Sequence, residues 1–388
     1  MKLIEVNTPE LAQEFLMVQV RLYKKDQNYI RPLDKDINNV FDPKKNKLLR
    51  EGDAVRWLLQ DNKGKYIGRV SAFINRKTAK KYDQPTGGMG FFDCVNDQAA
   101  ANMLLDACRE WLKEKGMEAM DGPINLGERD KWWGVLIDGF HKPNYCMHYN
   151  YPYYKDLLEN YGFQTYFLQY TYHRAVEDPL TPEYNEKAQR ILRDTRYQFR
   201  HLDKNDLMKF AQDFRIVYNK AWTKHEGVKE MSEAQASAIM KTLKPVLDER
   251  IMWFSYFEEE PVGFFITIPE LNQLFQYVNG KMDFWGKLKF VFHRWRGACT
   301  TMYGIVFGIT PEHQAKGVEA AMVVSAGKLV QNNPSIPYKD LQMNWIGDFN
   351  PKMMKVVEQV GSRILKTHAT YRYLFDRTKE FKRMPILR

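Results

Sequence analysis

Cysteine is scarce in this sequence. The chain has 388 residues and four cysteines, Cys94, Cys108, Cys146 and Cys299. They are widely spaced, and none belongs to a C-x-x-C pair, the spacing common in zinc sites and redox-active dithiols. Secreted domains held together by disulfides use cysteine far more densely. We therefore expect free, buried thiols and neither a metal site nor a disulfide framework.

Long hydrophobic runs are also missing. No apolar stretch is long enough to cross a bilayer, and the N-terminal sequence MKLIEVNTPE lacks the features of a signal peptide. These absences lead us to expect a cytoplasmic protein. The G-x-S-x-G, H-E-x-x-H and Walker motifs are absent too, which argues against the α/β-hydrolase, metalloprotease and P-loop classes.

The chain is basic, with a formal net charge of +10. Such a surface suits an anionic partner such as coenzyme A, anionic lipid or RNA, although the charge alone favours the simpler interpretation of a solvated basic surface. Neither a zinc-finger pattern nor an aromatic RNA-recognition motif is present, so we expect no nucleic-acid partner. The length and the hydrophobic fraction of 44% are sufficient for two cores.

The most informative stretch runs from 301 to 331. Apolar and β-branched residues from Thr301 to Ile309 predict a strand, Thr310-Pro311 predicts a turn, and the small residues from Ala315 to Val330 predict a helix. Between strand and helix lies Gln-Ala-Lys-Gly at 314–317. Unpaired backbone N–H groups and the helix dipole both favour an anion at such a position.

This strand, loop and helix resemble the acyl-CoA-binding motif of the GCN5-related N-acetyltransferase (GNAT) superfamily. The resemblance implies that acetyl-CoA or another acyl-CoA is the donor. It implies that Gly308 and Ile309 hold the pantetheine arm. The pyrophosphate would lie against the backbone of five residues, Gln314, Ala315, Lys316, Gly317 and Val318. The sequence departs from the family at Glu319, where a small residue is usual, and an ordinary strand–helix unit is the alternative interpretation.

The sequence also contains an internal repeat. Trp57 and Trp253, Gly68 and Gly263, and Gly162 and Gly361 are matched pairs at nearly constant offsets. The first copy has Asp97 where the second has its glycine loop, and a carboxylate there would repel an anion. We therefore predict a mixed α/β fold with two tandem GNAT-like domains, 1–180 and 197–388, joined by a linker at 181–196, and expect only the second domain to bind acyl-CoA.

Catalytic residues are harder to predict. An acyltransferase must take a proton from the attacking amine and stabilise the developing charge. The GNAT family often has an acid tyrosine four residues before the terminal-helix glycine, but here those positions are Leu158 and Val357. We therefore predict Glu270 and Tyr303 as the catalytic residues, with structural roles as the alternative.

Two residues before the last helix are further candidates. Asn350 matches the asparagine with which the family often starts this helix, and we predict that it contacts the cofactor. Asp348 is predicted to orient the substrate. Helix capping is the alternative role for both residues.

Two further segments are candidates for binding. Trp132 and Trp133, beside Glu128 in a loop rich in glycine and charge, are predicted to contact substrate; the alternative is that they plug the interface between the halves. Residues 280–297 form a basic amphipathic helix with several aromatic residues. It could lie on an anionic membrane or cover an acyl chain, or simply pack on its own domain.

The sequence thus predicts an N-acyltransferase that moves an acyl group from acyl-CoA to an amine. Two alternatives stay open: transfer from aminoacyl-tRNA, and a non-catalytic acyl-CoA-binding or scaffold protein of the same fold. The acceptor amine, the acyl chain length and the oligomeric state are not defined by the sequence.

Overall fold

The computed structural model describes residues 1–81, 84–127, 129–222 and 230–387. Glu128 lies outside the described residues. Thirteen strands and eleven α-helices make up the regular structure of these ranges. All four cysteines are buried and free, as expected.

The strands and helices alternate in a similar order in both halves of the chain. The strands are β1 (Lys2–Glu5), β2 (Gly52–Gln60), β3 (Tyr66–Asn75), β4 (Thr86–Cys94), β5 (Ala119–Gly122), β6 (Val135–Asp138), β7 (Gln164–Ala175), β8 (Tyr197–His201), β9 (Met252–Phe257), β10 (Glu260–Pro269), β11 (Thr301–Ile309), β12 (Asp340–Gly347) and β13 (Arg363–Leu374). The helices are α1 (Pro9–Leu22), α2 (Asp34–Val40), α3 (Gln98–Glu114), α4 (Tyr154–Tyr161), α5 (Pro182–Leu192), α6 (Leu207–Trp222), α7 (Glu233–Leu243), α8 (Asn272–Phe275), α9 (Phe284–Trp295), α10 (Val318–Asn332) and α11 (Pro351–Gln359).

One mixed sheet runs through the whole molecule. Its order is β1-β2-β3-β4-β5-β13-β7-β12-β11-β10-β9-β8, with β6 pairing β13 beside β5. This order is palindromic, because β8 to β12 repeat β1 to β5 in reverse. The fold class predicted from the sequence is therefore confirmed.

The two halves exchange their last strands. β13, from the second half, pairs with β5 of the first half, and β7, from the first half, pairs with β12 of the second. β7 and β13 then pair with each other at the centre, where Gln169 lies opposite His368. The boundary predicted at 181–196 therefore separates the chain into halves that are interlocked in the sheet.

The repeat is visible in matched backbone positions. Gly162 ends α4 and Gly361 follows α11, both with positive φ, a conformation that glycine adopts without strain. Gly68 pairs with Cys94 at the end of β4, and Gly263 pairs with Ile309 at the end of β11. These equivalences confirm the repeat inferred from the offsets.

Helices cover both faces of the second half of the sheet. Phe214 of α6 packs on Phe264 with ring centroids 4.7 Å apart, whereas the next residue, Phe265, faces the side of α10. Because neighbouring strand residues point to opposite faces, α6 and α10 lie on opposite sides of the sheet. The predicted linker holds α5, which begins at the cap residue Thr181 and packs against α10.

None of the helices in the described ranges combines the length and the apolar character that a membrane span requires.

Candidate active site

A gap opens between the two parallel strands of the second half. β11 and β12 pair only from Thr301 to Gly304 on one strand and from Asp340 to Met343 on the other, although both strands continue further. The buried run of β11 ends at the same place, because Ile305 is exposed and the next two residues are half-buried. Among the described residues no strand pairs with this edge of β11 beyond Gly304. The gap therefore presents a backbone edge to which an extended ligand can bond.

The equivalent gap in the first half is filled by the chain itself. β4 and β5 pair only over Thr86–Gly88, but every residue of β4 is buried. The N–H of Ile124 donates to the carbonyl of Met89 at 2.8 Å. Gly90 lies so close to this segment that an added Cβ would fall 1.6 Å from the carbonyl oxygen of Ile124. The first half therefore has no room for a ligand at this position.

The helices that follow these strands begin differently in the two halves. The Asp97 carboxylate caps α3 by accepting from the N–H groups of Ala99 and Ala100. The residue before α10 is Gly317, with φ +98° and no side chain to cap the helix. The N–H groups at the start of α10 thus have no side-chain cap, as in an anion site, although Glu319 lies in the first turn of the helix.

Helix α5 lies against the loop at 314–317. The guanidinium of Arg190 donates to the carbonyl of Lys316 at 2.9 Å, and an added Cβ on Gly317 would meet the backbone of Lys187 at 3.1 Å. Gly317 is buried by this contact, whereas Gln314, Ala315 and Lys316 are exposed. A large residue at Gly317 would therefore strain the backbone and push on α5 as well as obstruct the loop.

The predicted cofactor residues follow the open end of the gap, where Gln314, Ala315 and Lys316 are exposed and Gly308, Ile309, Gly317 and Val318 are buried. One of their polar groups is already engaged, because the side-chain amide of Gln314 donates to the Ile309 carbonyl at 2.9 Å. Glu319, the departure from the family pattern, is half-buried near α5. Burial, and then the Glu319 carboxylate, raise the pKa of Tyr184 on α5.

At the closed end of the gap, Tyr303 lies in a polar network. Its hydroxyl accepts from the side-chain Nδ2 of Asn344 at 2.6 Å. The side-chain Oδ1 of Asn344 in turn accepts from the Thr171 hydroxyl at 2.6 Å. Burial, and then the charge of Glu270, raise the pKa of Tyr303 well above its ordinary value. Tyr303 therefore remains a neutral phenol with a proton to donate.

Glu270 lies in a second polar network, near enough for its charge to act on Tyr303, and this network leaves it little freedom. Its carboxylate accepts from the Asn144 side chain at 2.7 Å and from the backbone N–H groups of Tyr145 and Asn272 at 2.9 and 3.0 Å. The side chain is buried, which raises its pKa despite these bonds. This geometry makes Glu270 a residue that positions the first-half segment around Asn144, while its role as a base stays a prediction.

Lys366, on the exchanged strand β13, completes the network. Its ammonium donates to the side-chain oxygen Oδ1 of Asn144 at 2.8 Å, and only 2% of Lys366 is exposed. Burial lowers the pKa of Lys366 to about 8, although the charge of Glu270 opposes this shift. A lysine whose pKa lies this close to neutrality can exchange a proton near physiological pH.

Polar residues continue across the centre of the sheet. Gln169, His368 and Thr370 are buried on β7 and β13, and His148 is buried in the segment that covers them. His368 Nε2 lies 3.0 Å from the His148 carbonyl. Burial lowers the pKa of His148 to about 4 and that of His368 to about 3, so both rings are neutral. Gln169 Nε2, His368 Nδ1 and His148 Nε2 have no protein partner within the described residues, which makes them candidate contacts for polar atoms of a substrate.

Four other predicted residues lie in different surroundings. Asn350 caps α11 by accepting from the Met353 N–H at 3.2 Å, and Asp348 forms an ion pair with Arg383. Trp132 is buried in the first-half core, and Trp133 is half-buried between two hydrophobic clusters. The indole nitrogens of both tryptophans lack a protein partner in the described part of the chain. Asn350 is therefore a helix cap, and Trp133, but not Trp132, packs against side chains from both halves.

An apolar cavity lies on the opposite face of the sheet from Tyr303. Its volume is about 350 Å³, and it is enclosed by α10, by the strands of the second half and by residues 176–180. Met302 and Leu341, which pair across β11 and β12 at the base of the gap, are part of its wall. Gly327 of α10 faces open space, because an added Cβ would meet nothing within 4 Å. The cavity has the size of a ligand site, and its lining is mainly apolar, although Arg174, Glu177, Asp178 and Lys328 also line it.

No family model matches the sequence. The chain is 26% identical over 384 residues to a protein of Caulobacter vibrioides described as a bacterial ceramide synthase. The match covers 96% of this chain and 97% of that protein. It is 22% identical over 371 residues to Protein YghO of Escherichia coli, with 92% and 91% of the two chains covered.

Solved structures identify the fold. A tandem GNAT protein from the clavulanic acid biosynthesis pathway superposes with a TM-score of 0.54 at 8% identity, over 96% of this chain and 98% of that one. This chain has the tandem GNAT fold. The glucosamine N-acetyltransferase region of a fungal multi-domain β-N-acetylglucosaminidase also gives a TM-score of 0.54 at 11% identity; the match covers 96% of this chain but only 38% of that longer one. The tandem GNAT fold predicted from the loop and the repeat is therefore confirmed.

Sequence reasoning missed the polar residues at the centre of the tandem GNAT fold. Lys366, His368 and Thr370 alternate along β13, a pattern that also describes a strand with one face in water. The two cases differ in what covers this face, and here the segment that contains Asn144 and His148 lies over Lys366 and His368, a contact between residues more than 200 positions apart.

Proposed function

We propose that this protein is an N-acyltransferase that transfers a long acyl group from acyl-CoA to the amine of a lipid-like acceptor. The observation that carries the proposal is the contrast between the two halves. The gap in the second half is open and ends at an uncapped helix, whereas its counterpart is filled and capped by Asp97. Only the second half offers both a backbone edge for pantetheine and a positive helix end for pyrophosphate.

The reaction requires two proton movements. The acceptor nitrogen forms a bond to the thioester carbonyl carbon, the carbon–sulfur bond breaks, the nitrogen loses a proton, and the departing thiolate gains one. We propose that Tyr303 supplies the proton to the sulfur, because its phenol is neutral and its oxygen is fixed by Asn344. Lys366 and the neutral His148 and His368 are candidates for receiving the proton of the amine.

The apolar cavity supports a long acyl chain. It begins at the base of the gap, beside Met302 and Leu341, on the face of the sheet opposite the polar network. A chain in this cavity would leave the polar face for the acceptor. The name of the Caulobacter relative fits this division, because a ceramide is the amide of a fatty acid and a long-chain amino alcohol.

The direct test is turnover. The purified protein is mixed with acyl-CoA of increasing chain length and with a panel of long-chain amino alcohols and short amines. Thiol release and the amide product are then measured together. We expect equal amounts of thiol and amide, with a preference for long acyl chains and for amino alcohols. Acyl-CoA binding without thiol release for any amine would support the non-catalytic alternative instead.

The cavity is tested separately by filling it. Gly327→Phe should shift the preference toward shorter acyl chains, because the new ring projects into the open space beside the Gly327 Cα. Gly327→Ala is the matched control, because it changes the helix in the same place without filling the cavity. Identical chain-length profiles for the two variants would place the acyl chain elsewhere.

A further inference from the structure

Helix α9 is attached to the protein by one narrow face. Gly286 and Phe290 are its buried residues, and the ring of Phe290 packs on Phe275 with centroids 5.5 Å apart. His293 stacks on Tyr277 at 3.5 Å, and Arg294 donates to the carbonyls of Pro245 and Leu247. The orientation of α9 is therefore fixed by contacts along one side.

The opposite side of α9 is apolar and faces water. Trp295 is 81% exposed, Trp285 69%, Phe284 68% and Val291 62%. Leu288 and Phe292 are exposed as well. Phe284, Leu288, Val291 and Trp295 follow the i, i+4, i+7, i+11 spacing of a single helical stripe. Single exposed apolar residues are common on soluble proteins, but a contiguous stripe of this kind marks an interaction surface.

Basic residues border this stripe on both sides. Lys287 and Arg294 lie two helical turns apart on one flank, and Lys289 and Arg296 have the same spacing on the other. Three of these four side chains are exposed, Arg294 being half-buried by its bonds to backbone carbonyls. Asp283, the acidic residue at the start of the helix, is used as its cap, because its carboxylate accepts from the Gly286 N–H at 2.8 Å.

We propose that α9 is a membrane-docking helix that places its aromatic stripe in the surface of an anionic phospholipid bilayer. A helix of 12 residues is about 18 Å long, and its apolar side chains reach the boundary between headgroups and acyl chains while the flanking cations lie at the phosphates. Tryptophan at both ends of the stripe suits that boundary. Docking there brings the protein to the compartment in which a lipid-like acceptor resides.

A second copy of the chain fits this surface less well. A symmetric contact between two α9 helices would bring the same basic flanks together, because each partner contributes the same patch. Like charges opposed in this way disfavour association, whereas anionic lipid neutralises them. The charge pattern therefore selects a bilayer over self-association.

The experiment is co-sedimentation of the full chain with vesicles of phosphatidylcholine alone or mixed with phosphatidylglycerol, at low and high salt. We expect binding to the anionic vesicles that weakens with salt, and a blue shift of tryptophan fluorescence on binding. The double variant W285S/W295S and the double variant K287E/K289E should each reduce binding by about tenfold or more. Soluble monomeric protein from both variants, with an unchanged melting temperature, shows that the loss is local.

Matched controls carry equivalent changes outside α9. Ile364→Ser removes an exposed apolar side chain from β13, and K352E/K355E reverses two charges on α11. Binding that these controls reduce as much as the α9 variants do would overturn the proposal, as would no binding to anionic vesicles. A dimer of the unmodified chain in solution that W285S/W295S converts to a monomer would assign the stripe to a second copy. Vesicle binding is measured independently of turnover, so the membrane proposal and the transferase proposal can be contradicted separately.

Discussion

Asp97 and Gly317 occupy the same position in the two halves of the molecule. Each precedes the helix that follows the fourth strand of its half, Asp97 before α3 and Gly317 before α10. Asp97 satisfies two backbone N–H groups with its own carboxylate, whereas Gly317 supplies no side chain at all. The first half thus caps its helix with its own carboxylate, whereas α10 has no capping side chain and carries its nearest acidic residue, Glu319, in its first turn.

This relationship predicts the effect of charge at position 317. Gly317→Asp should weaken the binding of coenzyme A by about tenfold relative to Gly317→Asn, because the carboxylate caps α10 and repels the pyrophosphate. Asparagine is the matched control, because both side chains have the same shape and tolerate positive φ. The measurement is calorimetric titration of both variants with coenzyme A.

Both variants share the contact with Lys187, so their common loss of stability reports on α5 and not on the ligand. Equal affinities of the Asp and Asn variants would mean that pyrophosphate does not bind at the start of α10.

Tyr303 gives the second prediction. Tyr303→Phe should lower kcat by about 10²-fold and leave the Kd for acyl-CoA unchanged, because the phenol is proposed to act only when the carbon–sulfur bond breaks. Tyr338→Phe removes another buried hydroxyl, one bonded to Asp248 at 3.1 Å, and serves as the control. A similar fall in kcat for both variants would indicate that the Tyr303 hydroxyl matters for packing alone.

The local elements could be predicted because their signals are local. The strand at 301–309 and the loop at 314–317 are present where the sequence indicates them. The glycines at 162 and 361 ended their helices for the same reason, since positive φ is a requirement of a single residue.

The strand exchange could not be predicted in this way. β7 and β13 have similar patterns, and nothing within either strand specifies whether its neighbour comes from its own half or from the other. The network of Lys366, Asn144 and Glu270 depends on that exchange, because its members lie 222 and 126 residues apart along the chain. The sequence therefore predicted the loop at 314–317, whose role in cofactor binding stays a prediction, but it predicted Glu270 without the partners that restrain it.

The lowered pKa of Lys366 predicts that the free energy of unfolding depends on pH in the alkaline range. Its pKa is lowered from 10.5 to about 8 in the folded protein. Between these two values the unfolded chain binds more protons at this site than the folded chain, so the free energy of unfolding should rise with pH. Below pH 8 both states are protonated and the contribution is constant.

The measurement compares the wild-type chain with Lys366→Met by urea unfolding at several pH values. The difference in unfolding free energy should move in favour of the wild-type chain by on the order of 1 to 3 kcal/mol between pH 8 and 10.5. Tyrosine titration affects both proteins equally and cancels in the difference. A difference that does not change with pH would show that Lys366 keeps an ordinary pKa.

The exchanged strands make the last prediction, which concerns the predicted linker. A protease site placed between α5 and β8 allows the chain to be cut after folding. β13 stays between β5 and β7, and β7 stays beside β12, so each fragment holds a strand in the other's half of the sheet. The cut protein should therefore elute as one species under native conditions, separate only in denaturant, and unfold in a single transition.

The same fragments expressed alone should aggregate, because each lacks the strand that covers its central edge. Two fragments that separate without denaturant, each with its own cooperative unfolding, would instead establish independent domains on either side of 181–196.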